Sequence, residues 1–132
     1  MSKKKAVFFG RWTPMHLGHE WLIRKKLDLG IPCLIYVRNT PDDEFTAEER
    51  KAMLEATFEG EDVQVEICPD IESVNWGRGV GYETNEHKPP EDIKWISATR
   101  IRECIKNDDP DWLNYVNPKT AAWLKAYYSD KD

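Results

Sequence analysis

The sequence predicts an α/β fold: one domain, residues 1–132, with a parallel β-sheet flanked by helices and further helices at the C-terminal end. Three observations carry this. Short apolar runs alternate with amphipathic stretches in the order strand, helix, strand, helix, strand. One run, IPCLIYV, is continuously apolar, as strands inside parallel sheets are. Helix start and stop signals stand where the pattern changes. With right-handed crossovers that order gives a small Rossmann-like sheet.

Lys5 to Phe9 reads as a short buried strand that ends at Gly10. From His16 to Leu29 a helix is predicted, because Leu17, Trp21, Leu22, Leu27 and Leu29 recur at helical spacing and Gly30 and Pro32 close it. Ile31–Val37 is the second strand, suited to burial on both faces. Thr46 and Glu49 have capping-box spacing at the start of TAEERKAMLEATF, whose Met53, Leu54 and Phe58 point inward. The third strand is Val63–Pro69. Asp70–Lys94 is irregular and long for an idle loop. KWIS, Lys94–Ser97, reads as a last short strand; SATRIRECIK follows as a helix capped by Ser97, and Asn117–Pro118 opens a final helix. Trp21, Trp95, Trp112 and Trp123 fall in apolar patterns and are expected to pack.

Composition narrows the function. Nineteen basic against 24 acidic side chains leave a net charge of −5, which offers no general attraction for nucleic acid or an anionic membrane. The three cysteines, Cys33, Cys68 and Cys104, form no Cys-x-x-Cys pair and read as small buried hydrophobes. The basic opening MSKKK precedes an apolar run of only Ala6–Phe9, too short for a signal peptide or a membrane span, so a cytoplasmic protein is expected. The acidic clusters Asp42–Glu44 and Asn107–Asp111 are explained by loop solvation and helix N-terminal charge.

The chemistry concentrates in FFGRWTPMHLGH, Phe8–His19. A zinc site needs a third ligand, and His87 in the irregular segment is the one other histidine, so no metal ligand is assigned. Two histidines that merely cap or pack a helix are a second reading. A phosphate cradle uses more of the residues: Gly10 for a sharp turn, Gly18 to let a nucleotide lie close, and free N–H groups at a helix N-terminus. His16 and His19 would donate hydrogen bonds that strengthen as charge builds on a phosphorus. Near the C-terminus, ISATRIR places Ser97 and Thr99 at a helix start, with Arg102 one turn on and Arg100 on the solvated surface. Taken singly, that stretch is an ordinary capped helix.

Together the two segments resemble the paired signatures of the His-x-Gly-His nucleotidyltransferase superfamily, whose second motif is Ile-Ser-x-Thr-x-Ile-Arg. The resemblance implies transfer of a nucleoside monophosphate from a nucleoside triphosphate to a phosphorylated acceptor, with Mg²⁺ on the triphosphate and pyrophosphate released. It assigns His16, His19 and Arg102 to catalysis, and Gly10, Arg11, Thr13, Gly18, Ser97 and Thr99 with them to nucleotide binding. Gly10–Arg11 and EFTAEER are similar to the nicotinamide-mononucleotide adenylyltransferase branch, which favours AMP as the group transferred. A cytidylyltransferase acting on a sugar or polyol phosphate is the alternative, and a non-catalytic nucleotide-binding module the further one. Trp76 and Arg78, in VNWGRGVGYE, and Arg38, at a strand's C-terminal end, are candidates for the acceptor. The expected partners are these small molecules and further copies of the chain, with no nucleic acid and no membrane.

Overall fold

Three parallel strands, β1 (Ala6–Gly10), β2 (Cys33–Asn39) and β3 (Val63–Pro69), form an open sheet in the order β1-β2-β3. The computed structural model describes residues 4–41 and 43–130; Met1–Lys3 of the basic opening and Asp42 of the acidic cluster lie outside them. The register pairs Phe8 with Ile35 and Ile35 with Val65, so these side chains share one face and meet in the core. The connections are α1 (Leu17–Leu27) and α2 (Ala47–Thr57). Strand order advances in one direction, and right-handed crossovers then put both helices on the same face.

That placement corrects two expectations. β1 is buried on one face only, since Phe8 points into the core while Val7 and Phe9 are 46% and 45% exposed. In β2, Cys33, Ile35 and Val37 are buried, but Leu34 and Tyr36 on the opposite face are only partly covered. Among the described residues neither strand has a helix over that second face. Phe9 and Tyr36 stack on each other there, with ring centroids 5.4 Å apart.

The capping box of α2 forms as its sequence predicts: Glu49 N–H donates to Thr46 Oγ1 at 3.1 Å and Thr46 N–H to Glu49 Oε1 at 2.8 Å. Such a cap stabilises the helix by about 1 kcal/mol. Met53, Leu54 and Phe58 are buried. In α1 the fully buried residue is Ile23, Leu22 and Leu27 pack partly against the core, and Leu29 is exposed because the helix has already ended at Leu27.

After β3 the chain runs without helix or strand to Pro90. The expected strand Lys94–Ser97 is absent. Pro90 instead caps a short helix, α3 (Glu91–Lys94), by accepting N–H bonds from Ile93 and Lys94 at 3.0 and 2.9 Å. A proline followed by Glu91 and Asp92 is a helix start, and that local signal prevails over the apolar triplet behind it. Trp95 is consequently 52% exposed, with one ring edge against Tyr115, and not core. α4 (Ala98–Lys106), a 3-10 turn (Pro110–Asn114) and α5 (Pro118–Ser129) complete the chain. Asp109 caps the 3-10 turn through Asp111 N–H. α5 packs on α2 and seats Trp123, Tyr127 and Tyr128 around the buried ring of Phe45. Cys33 and Cys104 are buried as expected, whereas Cys68 is partly exposed on the uncovered face. Among the described residues no helix is long and apolar enough to cross a membrane.

Candidate functional site

The segment from β1 to α1 turns at Trp12, not at Gly10. Trp12 has φ 54°, in the left-handed region, and its buried indole folds back over Gly10. A Cβ at residue 10 would lie 2.7 Å from that ring. Gly10 therefore makes room for a side chain of the chain itself. Trp12 Nε1–H donates to the carbonyl of Tyr36 at 2.9 Å, tying the turn to β2. The Thr13–Pro14 peptide bond is cis.

His16 is the N-cap of α1. Its Nδ1 accepts the N–H of Gly18 at 3.0 Å, and Nδ1 of His19 accepts the N–H of His16 at 3.3 Å. An imidazole that accepts at Nδ1 carries its proton on Nε2 when neutral. The rings stack with centroids 3.7 Å apart, and the edge of Trp12 closes on His19 at 4.9 Å. Burial lowers the pKa of His16 to about 4. Burial, and then the neighbouring His16, hold His19 well below the ordinary imidazole value. The site thus holds two neutral, parallel imidazoles. Among the described residues neither Nε2–H has a hydrogen-bond partner.

Two expectations about backbone donors change. The N–H of Leu17 is taken by the carbonyl of Tyr115 at 2.8 Å and that of Gly18 by His16, so these first-turn donors of α1 are spent inside the protein. At the start of α1 the donors left for a ligand are therefore side chains. Gly18 likewise makes room first for His16: a Cβ there would lie 2.8 Å from Cε1 and 3.0 Å from Nδ1 of that ring. Gly18→Ala is expected to displace the imidazole and break the cap. Steady-state kinetics should show kcat/KM reduced on the order of 10²-fold, with about 1 kcal/mol of stability lost. Parental kinetics in this variant would mean that the ring position is immaterial.

The second motif reaches the first through Arg102. Its Nη1 donates to the carbonyl of Thr13, and its Nη2 to Thr99 Oγ1 at 3.3 Å. Thr13 is buried, and its Oγ1 has no hydrogen-bond partner among the described residues. Ser97 caps α4, accepting the N–H of Arg100 at 3.2 Å, and both Ser97 and Thr99 are exposed. A cleft of about 380 Å³ opens beside Arg102 and Thr99 and is bounded by Glu44, Lys106 and Tyr128.

Arg11 lies at the other side of the turn, its side chain half exposed and Nη2 on the carboxylate of Asp43. Asp43 is not a solvated loop residue. Its side chain is 4% exposed, receives the hydroxyl of Thr40 as well, and lies 3.8 Å from Nη2 of Arg50. Burial opposes its ionisation, but the bonds from Arg11 and Thr40 and the charges of Arg11 and Arg50 prevail, leaving its pKa below the usual carboxylate range. Arg50, fully buried in α2, donates to the carbonyls of Arg11 (2.8 Å), Arg38 (2.9 Å) and Phe45 (3.1 Å). Neither Asp43 nor Arg50 was singled out from the sequence. A signal existed for Arg50: it stands 3, 4 and 7 residues before Met53, Leu54 and Thr57, on the buried stripe of the helix.

The acceptor candidates are not gathered in. Arg38 is held by Asp70 through Nε (3.1 Å) and Nη2 (2.8 Å) at the sheet's C-terminal edge. Trp76 is 54% exposed and meets Tyr82 edge-on at 6.4 Å, and Arg78 is exposed. No hydrogen bond, ion pair or ring contact joins Trp76 or Arg78 to the histidines among the described residues. No group of three or more metal-ligating side chains occurs among the described residues. The imidazole Nε2–H groups and the guanidinium of Arg102 at the turn are hydrogen-bond donors, which suit phosphate oxygens.

No family model matches the chain. A nicotinamide-nucleotide adenylyltransferase from Pyrobaculum aerophilum is 31% identical over 158 residues, covering 93% of this chain and 88% of that protein. One of the same name from Pyrobaculum neutrophilum is 28% identical, covering 93% and 88%. A phosphopantetheine adenylyltransferase from Chromobacterium violaceum is 31% identical over 81 residues, 59% of this chain and 49% of that one. Among solved structures, a NadR protein in complex with NAD and AMP-PNP overlaps 52% of this chain and 21% of its own, at 26% identity and TM-score 0.46, too partial an overlap to inform the site. With two motifs joined at one corner of a parallel sheet, and identity to a curated relative sustained over nearly the whole of both chains, this protein belongs to the nicotinamide-nucleotide adenylyltransferase family of nucleotidyltransferases.

Proposed function

We propose that the protein transfers AMP from ATP to nicotinamide mononucleotide and releases pyrophosphate. The observation that carries this is the bond from Arg102 to the carbonyl of Thr13, which sets the second motif against the turn bearing the stacked histidines. The names of the relatives supply the adenylyl donor and the acceptor. An oxygen of the acceptor phosphate attacks the α-phosphorus in line; the new O–P bond forms as the bond to the β-phosphate oxygen breaks. The acceptor phosphate is already an anion, so no protein nucleophile is needed. His16 and His19 donate their Nε2–H groups to the triphosphate, and these bonds strengthen as negative charge grows. Arg11, Arg102, Ser97, Thr99 and Thr13 hold the phosphates from both sides. Mg²⁺ arriving with the triphosphate supplies charge neutralisation across its oxygens. Trp76, Arg78 and Arg38 are the side chains we assign to the acceptor, and the protein acts in the cytoplasm as a homo-oligomer.

The test is pyrophosphate release with ATP or CTP against nicotinamide mononucleotide and 4′-phosphopantetheine. Release with ATP and the mononucleotide is expected. Preference for CTP would overturn the donor, preference for phosphopantetheine the acceptor, and no release with any pair would favour a binding module.

Neutral histidines also set a pH dependence. An unfolded imidazole titrates near 6.5, whereas His16 titrates at about 4 and His19 is depressed too. Between these values the unfolded chain binds more protons than the folded one, so stability rises with pH. The thermal midpoint should therefore fall as pH is lowered from about 6.5 towards 4, with the lowered carboxylate of Asp43 adding its loss only at the acid end. A midpoint that stays level through this window would show that both rings accept protons in the folded protein.

A further inference from the structure

The turn that carries Arg11 rests on an arrangement whose charges do not cancel. Arg50 and Arg11 are two cations flanking one carboxylate, Asp43. Arg50 is fully buried and Asp43 nearly so, while the side chain of Arg11 is 51% exposed. Among these three groups one positive charge is left over, and it faces outward on Arg11, where the carboxylate of Asp70 acts on it through space. The carboxylate is shared with Arg50 and with the hydroxyl of Thr40, so it anchors Arg11 without neutralising it fully. Asp43 takes only Nη2 of a guanidinium fork that carries five N–H groups, and Nη1 and Nε of Arg11 have no partner among the described residues. Arg50 meanwhile grips the carbonyl of Arg11 itself at 2.8 Å. Arg11 is thus fixed at its main chain by one member of the pair and at its guanidinium by the other.

We propose that Asp43, seated on the buried Arg50, is a positioning residue for nucleotidyl transfer: its carboxylate aims the remaining donors of Arg11 at the phosphates of the triphosphate. The proposal rests on the phosphate-binding role assigned to Arg11 above. A long arginine loses much rotamer entropy when a ligand must order it. Asp43 meets that cost before the substrate arrives. Phe45, two residues on and buried against the aromatic side chains of α5, keeps the Asp43 loop in place.

The experiment compares kcat/KM for ATP in Asp43→Asn, Asp43→Glu, Arg11→Ala and the two double variants, each checked for folding by circular dichroism. Asp43→Asn removes the charge. Asp43→Glu keeps it, and with it the neutralisation of Arg50, but moves the carboxylate by one methylene, so it remains informative if the asparagine variant does not fold. Each single variant is expected to lose on the order of 10²-fold in kcat/KM, chiefly through KM for ATP. Neither Asp43 change should reduce activity further once Arg11 is alanine. Losses that multiply in the double variants, or Asp43 variants with parental kcat/KM beside a damaged Arg11→Ala, would overturn the positioning role while leaving Arg11 its own. A gain in ATP affinity on removing the carboxylate would overturn it too, showing Asp43 to be a competitor for Arg11. Full activity in Arg11→Ala would remove the role of Arg11 and this inference together.

Discussion

His19→Ala is expected to lower kcat by roughly 10²–10³-fold, the loss seen when one preorganised donor to a developing anion is removed. His19 has no role in the core cluster, and its Nδ1 accepts a single long bond from the N–H of His16. Stability should therefore change little. His16 needs a different substitution, because alanine would delete the N-cap of α1 as well as the donor. Asparagine caps helices well, so His16→Asn retains an oxygen for the N–H of Gly18 but has nothing at the position of Nε2. It should match His19→Ala in lost turnover at near-parental stability. The double variant should lose less than the product of the two, since in the proposed mechanism the stacked rings act on one group of phosphate oxygens. Pre-steady-state measurement of pyrophosphate release checks all three. Full turnover in both single variants would show that the imidazoles serve only to cap and pack the helix.

Arg50→Met carries the largest expected effect on folding. The guanidinium satisfies the carbonyls of Arg11, Arg38 and Phe45 and faces the carboxylate of Asp43 across 3.8 Å. Methionine fills much of the volume, leaves those carbonyls without their donor, and takes from the Asp43 carboxylate one of the two cations that face it. Breaking a buried charge pair from one side costs about 3–5 kcal/mol, a large share of the roughly 5–15 kcal/mol that holds a domain of this kind. Urea unfolding should show a clearly lowered midpoint, and less of the chain should accumulate in folded form. Arg50→Met combined with Asp43→Leu should recover part of the loss, because the side chain that lost one of its two cations is then uncharged. A single variant as stable as the parent would mean that water reaches the carbonyls in place of the guanidinium.

These two residues mark where the sequence was and was not informative. His16 and His19 were legible because their chemistry and spacing are local: one helix start fixes both rings, and the glycine between them is the residue type that lets His16 cap. The capping box of Thr46 and Glu49 was legible for the same reason. The order of strands and helices could be read because each element carries its own hydrophobic period and its own end signals. Lys94–Ser97 was misread where two local signals competed, and the Pro90 helix start prevailed.

What only the tertiary structure decided involves partners far apart in the chain. That Gly10 accommodates Trp12, that Tyr115 takes the N–H of Leu17, and that Arg102 reaches the carbonyl of Thr13 depend on how segments return to one another. Asp43 and Arg50 show the limit most clearly. Each is a common charged residue, and a one-dimensional pattern ordinarily assigns such residues to solvent. Their burial follows from the parallel sheet bringing the carbonyl of Arg38 and the turn of Arg11 over the first turn of α2, where a desolvated cation becomes tolerable only because main-chain oxygens and one carboxylate converge on it. The sequence by itself determined the kinds of donor and the two segments that bear them; the fold decided which of those donors remain free for a ligand.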